Sequence, residues 1–215
     1  MRMTLAAIIA VTPFWGLRRW LFRTLLGYQI DRSSFVANFT LLLANSVTMR
    51  EARIGMLNAL RLDELAMDPG AIIGKLNYVS GTRRITLGPE AMILNRNFIG
   101  GTHGSPNTTG QETLDMGARS QLSIMTFVDL TDSIIMGEDV VSGGASSQFW
   151  THGFDCYRKR SHAPIRIADQ VFIGSAAIIL PGVEICSEAT IGAGTIVHKS
   201  ITESGLYVST QLVKR

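Results

Sequence analysis

Apolar residues recur every six positions through Ile167, Ile173, Ile179, Ile185, Ile191 and Val197, and a second six-residue ladder passes through Val171, Ala177, Val183, Ala189, Thr195 and Ile201. Neither the helical period of 3.6 nor the strand period of 2 keeps that register over thirty residues, whereas short strands joined by tight corners do. The pattern predicts a coil of hexapeptides whose strands pair in parallel, so that like positions of successive turns pile into apolar columns. The first place of each hexad holds a branched aliphatic aimed at the axis. The second is small (Ala168, Gly174, Gly192), as suits a corner where the backbone crowds or φ turns positive. The fifth is modest in size, as needed where three walls converge.

Upstream the rhythm is less regular. Leu87, Ile93 and Ile99 keep it, as do Met116, Leu122, Val128 and Ile134, after which Met136-Gly137-Glu138-Asp139-Val140 restarts it two residues out of phase. Residues 100–113 (GGTHGSPNTTGQET) and 143–163 (GGASSQFWTHGFDCYRKRSHA) break the pattern with turn formers and polar residues. Both read as excursions from the coil wall, where a rigid scaffold positions functional side chains. Before Leu87 only fragments remain: Ile54-Gly55, Leu60 and Ile72-Ile73-Gly74.

The chain has 215 residues, 46% of them hydrophobic, enough for one domain with a continuous core plus a small appendage. Charge locates the appendage. Residues 1–27 hold Arg2, Arg18, Arg19 and Arg23 and no acid, so the rest of the chain carries sixteen basic against seventeen acidic residues. The division expected is therefore a helical segment over 1–27 and a hexapeptide coil over 28–215. Trp15, Leu17, Trp20, Leu21, Leu25 and Leu26 approximate one helix face. That composition suits an interfacial helix at a membrane surface, and it equally suits a cap over the open end of the coil. The apolar run from Met3 to Leu17 is short for a bilayer and broken by Pro13, and no A-x-A cleavage site precedes Arg18-Arg19. Two cysteines, Cys156 and Cys186, form neither a disulfide framework nor a Cys-x-x-Cys knuckle. A cytoplasmic protein with peripheral contact at the inner face of the membrane is the expectation, with no nucleic-acid partner.

The C-terminal run PIRIADQVFIGSAAIILPGVEICSEATIGAGTIVHKSI resembles the closing coils of the hexapeptide-repeat acyltransferases. It is most similar to their acetyltransferase branch, which takes in the galactoside, maltose, xenobiotic and polysaccharide O-acetyltransferases. Pro164-Ile165-x-Ile167, Val171-x-Ile173-Gly174, Leu180-Pro181-Gly182-Val183 and Ile191-Gly192-Ala193-Gly194, followed by Val197 and Lys199, carry the resemblance in order. It implies an all-β, left-handed parallel β-helix with a short N-terminal helix, assembled as a homotrimer that binds acetyl-CoA between neighbouring subunits. Gly174, Ser175 and Ala193 would form the donor's wall, with Lys199, Lys214 or Arg215 on its phosphates. The end of the chain departs from the family's G-x-P-A-K-x-I-R, reading Tyr207-Val208-Ser209-Thr210-Gln211-Leu212-Val213-Lys214-Arg215.

Within the second excursion, Phe149-Trp150-Thr151-His152-Gly153-Phe154-Asp155 places His152 where family members carry their catalytic histidine. Moving an acetyl group from a thioester to a hydroxyl needs a base for the hydroxyl proton, and an imidazole suits that task near neutral pH. Asp155 is the candidate for orienting it, with a backbone carbonyl as the other option. His103 and His162 lie in the two excursions and His198 on an outward position. Cys156 lacks an activating motif, and Arg158-Lys159-Arg160 is either a solvated run or an attractor of an anionic acceptor. The reading is an acetyl-CoA-dependent O-acetyltransferase acting on a sugar of a glycan or lipid-linked saccharide, with no metal. Two alternatives remain: a non-catalytic trimeric scaffold, and a metalloenzyme like the γ-type carbonic anhydrases, which needs three histidines around one ion.

Overall fold

A computed structural model describes residues 1–209. The chain opens with two helices, α1 (Arg2–Val11) and α2 (Trp15–Leu25), and then winds into a parallel β-solenoid of about nine turns. Strands pair only with their counterparts in the turns above and below, in sheets of fourteen and nine strands. One antiparallel pair departs from this pattern: His152–Phe154 with Arg160–His162, a hairpin standing off the wall.

The interior is a stack of columns. One runs Val36, Ile54, Ile73, Ile93, Leu122, Ile173, Ile191, and another runs Leu42, Leu60, Val79, Ile99, Val128, Phe149, Ile179, Val197, all buried. Because strand side chains alternate in direction, each inward residue is flanked by outward ones. The small second hexad place has a more specific cause than the sequence suggested. At Gly55, Gly74 and Gly174 the next turn passes so close that an added Cβ would collide with its backbone; at Gly174 it would lie 2.6 Å from the Ala193 nitrogen. The positive φ falls two residues later, at Leu57, Leu76 and Ala176, none of them glycine.

The irregular upstream register also has a physical cause. The fifth-place column, alanine or threonine at Ala177 and Thr195, is Thr40, Asn58, Asn77, Asn97, Thr126 and Ser147 in the earlier turns, and all of these are buried. The Asn58 side chain donates to the carbonyls of Gly55 and Gly74 and its Oδ1 accepts from the Asn77 amide; Asn77 donates to the Leu94 carbonyl and its Oδ1 accepts from the Asn97 amide, and Asn97 Oδ1 accepts from the Thr126 amide. An asparagine ladder therefore satisfies corner backbone groups that would otherwise be orphaned inside the prism.

The helices close the first turn: Ala6, Ile9, Phe22 and Leu26 join the core. Their outer side exposes Met3, Val11, Phe14, Leu17 and Trp20. The arginines are used differently from one another. Arg18 is fully buried, donating to the Val36 carbonyl, and burial lowers its pKa. Arg19 donates to the Asp31 carbonyl, and Arg2 to those of Leu26 and Asn45. No helix among the described residues is long and apolar enough to cross a membrane.

The first excursion leaves the wall after Phe98–Gly101 and returns at Thr113–Met116. The second begins later than expected. Val141–Ala145 and Gln148–Phe149 stay in the wall, paired to the turns on either side, because Ser142, Ser147 and Phe149 fill interior positions. What protrudes is the hairpin from His152 to His162.

Candidate active site

His152 opens the hairpin at the end of the strand Gln148–Phe149, directly above the turn that carries Asp129. Asp129 stands on an outward position of Phe127–Leu130 yet is only 6% exposed, since the hairpin covers it. Its Oδ2 lies 2.7 Å from His152 Nδ1 and accepts from the amides of Thr151 and His152; its Oδ1 accepts from the Thr131 hydroxyl. A carboxylate accepts only, so Nδ1 carries the proton. The other ring nitrogen, Nε2, has no protein partner among the described residues and faces a groove of about 1140 Å³. Imidazole orientation and tautomer are thus fixed by a buried acid, the arrangement that prepares a histidine to act as a base.

Asp155, put forward from the sequence to orient His152, does something else. Its Oδ1 accepts from the amides of Tyr157 and Lys159 and closes the hairpin turn. Asp129 was missed because it sits in a wall strand twenty-three residues earlier, inside the apolar pattern at Val128-Asp129-Leu130. A charged residue between two buried apolar ones was the available signal.

Both excursions meet at this site. Arg160 donates to the Asn107 carbonyl on the first excursion and to the Thr131 hydroxyl, which itself contacts His152 Nδ1 at 3.2 Å. The first excursion is anchored by Glu112, whose side chain is buried. Its Oε1 accepts from Thr102, Thr108 and the Thr109 amide. Burial pushes the Glu112 carboxyl upward in pKa, but these hydrogen bonds outweigh it and leave the group below the ordinary carboxylate value. The other oxygen, Oε2, has no bonded partner and lies 3.9 Å from the equally orphaned Nδ1 of His103, whose Nε2 pairs with Asp63 at 2.7 Å.

His162 pairs with Asp132 at 2.7 Å, and His198 is exposed. Three histidines thus engage three separate carboxylates instead of converging on one point, as a carbonic anhydrase-like centre requires. Among the described residues no group of three or more metal-ligating side chains is present. Cys156 is exposed on the hairpin turn and Cys186 partly covered beside the core.

The residues assigned to a donor wall lie beyond His152 towards the C-terminal turns. Gly174 packs against Ala193, and the Gly194 amide donates to the Ser175 carbonyl, so Gly174, Ser175 and Ala193 form one surface across two turns. Lys199 is exposed on a nearby corner. Lys214 and Arg215 lie outside the described residues.

Comparison with known proteins agrees with this architecture. A family model described as the hexapeptide repeat of succinyl-transferase matches residues 164–199. The chain is 28% identical over 92 residues to the acetyltransferase candidate YvoF of Bacillus subtilis, and 38% identical over 88 residues to the acetyltransferase candidate C18B11.09c of Schizosaccharomyces pombe. Those alignments take in 42% and 39% of this chain and 52% and 42% of the relatives, so the chain spans about half the length of the curated relatives it matches. Among solved structures, a hexapeptide-repeat acetyltransferase of Vibrio cholerae complexed with acetyl coenzyme A is 16% identical, with a TM-score of 0.43 over 96% of this chain and 79% of that one. The polySia-specific acetyltransferase NeuO is 18% identical, with a TM-score of 0.42 over 87% of this chain and 86% of its own.

Proposed function

We propose that the protein is an acetyl-CoA-dependent O-acetyltransferase whose acceptor is a sugar hydroxyl of a glycan or lipid-linked saccharide, with His152 as general base. The observation that carries this reading is the buried Asp129 on His152 Nδ1, which puts the proton on Nδ1 and leaves Nε2 its lone pair, in a residue that lines an open groove. The acetyltransferase relatives support it, as do the hexapeptide turns at 164–199.

The chemistry follows from the dyad. An acceptor hydroxyl donates to Nε2; its oxygen attacks the thioester carbonyl carbon as the proton passes to the ring, giving a tetrahedral intermediate and an imidazolium stabilised by the Asp129 carboxylate. Collapse breaks the carbon–sulfur bond, and the Nε2 proton goes to the departing sulfur. General base catalysis of this kind contributes roughly 10²–10⁴-fold. The donor lies along Gly174, Ser175 and Ala193, with Lys199 towards its phosphates, on the C-terminal side of His152. A homotrimer would bring a neighbouring subunit over the donor's wall and enclose the thioester. Thiol release from acetyl-CoA, measured with a panel of saccharides for the unmodified protein and His152→Ala, tests the reading: turnover that survives the substitution excludes His152 as the base.

A peripheral membrane contact is the second part of the proposal. Met3, Val11, Phe14, Leu17 and Trp20 leave apolar surface outside the helical cap, beside the exposed Arg23. Co-sedimentation with anionic vesicles tests it, and Phe14→Ser together with Trp20→Ser is expected to abolish the binding.

A further inference from the structure

The groove in front of His152 runs along the solenoid axis. It is floored by six successive strands, from Leu41–Leu43 through Ala59–Met67, Tyr78–Leu87, Phe98–Gly101 and Phe127–Leu130 to Gln148–Phe149, each paired with the next. Five inter-strand steps of about 4.8 Å give a trough about 24 Å long, with His152 at its C-terminal end. A single sugar ring needs only a fraction of that length.

Its walls differ in chemistry. Outward side chains on one edge form a continuous aromatic ladder, Tyr78 on Phe98 on Phe127 on Trp150, with ring centroids 5.3, 5.1 and 4.7 Å apart. Beside it the floor is lowered by Ser80, Gly81, Gly100 and Gly101. A Cβ at Gly81 would strike the Gly101 carbonyl, and one at Gly100 would strike the Phe98 ring. Glycine at 81 and 100 therefore lets the turns and the Phe98 ring pack closely and keeps the floor low beside the ladder.

Its charge is net positive. Arg2 and Arg61 stand at the far end, Arg158 and Arg160 at the His152 end, and none forms an ion pair among the described residues. Arg2 and Arg160 are held in place by neutral oxygens, which leaves their charge uncompensated. Two carboxylates, Asp63 and Asp129, also line the groove and are hydrogen-bonded to His103 and His152, so four guanidinium groups stand against two carboxylates and the balance is positive. The guanidinium groups stand in pairs at the two ends of the trough, where each planar fork can take one carboxylate, and so match an occupant long enough to bring carboxylates to both ends.

We propose that this groove holds the acceptor as an extended, carboxylate-bearing glycan chain, which runs from His152 towards the N-terminal turns and presents one internal or terminal hydroxyl to Nε2. The proposal rests on the reading of His152 as the base of a saccharide acetyltransferase, and it adds the polymeric and acidic character of the acceptor. The donor does not compete for the space, because its wall lies on the other side of His152 along the axis.

Binding can be tested without turnover. Full-chain His152→Ala protein is titrated by calorimetry with uronic-acid oligomers (galacturonate, guluronate and hyaluronan series) from mono- to hexasaccharide, and with neutral malto-oligosaccharides of the same lengths. Affinity is expected to rise with each sugar added up to the length of the trough and to weaken with salt. It should fall at least tenfold in Arg61→Glu, while acetyl-CoA affinity stays within twofold. Equal affinity for acidic and neutral chains, or for monosaccharide and pentasaccharide, overturns the proposal. So does loss of acetyl-CoA affinity in Arg61→Glu, which would make the groove the donor's site. The acetyltransferase reading fails separately, if unmodified protein releases no thiol from acetyl-CoA with any saccharide even though acidic chains bind.

Discussion

The last turns, from Ile165 to Ile201, and the turns between Leu41 and Phe149 enclose the same core and stabilise their corners by different means. The late turns rely on fit: isoleucine and valine columns, Ala177 and Ala189 at the corners, and six-residue spacing without insertion. The earlier turns carry a hydrogen-bonded ladder of Asn58, Asn77 and Asn97 at the corner the late turns fill with alanine, and they accept extra residues at another corner. The departures from the repeat lie among the turns stitched by side-chain amides, and the proposed base, its acid and the groove sit there, whereas the regular end holds the surface proposed for the donor.

That contrast can be tested from the largest expected effect downwards. Asp129→Asn should lower turnover by roughly 10²–10⁴-fold, because an amide facing Nδ1 fixes the wrong tautomer. Near-normal thiol release from that variant, at unchanged thermal stability, would remove the dyad from the mechanism. In the regular end, Ile191→Ala should cost about 2–5 kcal/mol in a urea titration, with turnover per folded molecule intact if scaffold and site are separable. Glu112→Gln should destabilise the first excursion by about 1–3 kcal/mol, since a buried acceptor of three hydrogen bonds is altered. The pH dependence has a definite sign. The folded pKa of Glu112 is depressed, so its contribution is complete above the ordinary carboxylate value and disappears as pH falls through the folded one. The protection factor of the Thr109 amide, its exchange corrected for the intrinsic pH dependence, should therefore fall in acid for the unmodified protein and show little pH response of this origin in Glu112→Gln. The smallest effect is expected from Asp155→Asn, which leaves an acceptor for the Tyr157 and Lys159 amides: thiol release within about twofold, as for a surface substitution. A loss comparable to that of Asp129→Asn would return the orienting role to Asp155.

How much could be read from the chain follows the same division. Ile167 to Val197 announce the coil because every interior place there is apolar, and pattern is what periodicity detects. The early turns were fragmentary because a buried asparagine looks like a surface residue in a hydrophobicity reading, although its side chain bonds to corner backbone inside. His152 was marked as a candidate base by the motif around it. Asp129 was not, since the contact joins residues one turn apart in space and twenty-three apart in sequence, with Asp155 the nearer carboxylate along the chain. The aromatic ladder was hidden for the same reason: Tyr78, Phe98, Phe127 and Trp150 have irregular spacing in sequence and adopt a regular one only when the turns stack.

The central claim is that a single imidazole, oriented by Asp129 and open to the groove at Nε2, takes the acceptor's proton. The direct measurement is single-turnover acetyl transfer from acetyl-CoA to a saccharide acceptor by His152→Ala, alongside acetyl-CoA binding and the circular dichroism of the same preparation. The account predicts transfer reduced by at least about 10²-fold, with donor affinity and β-solenoid signature retained. Transfer at the unmodified rate, in protein that still folds and binds the donor, would contradict it.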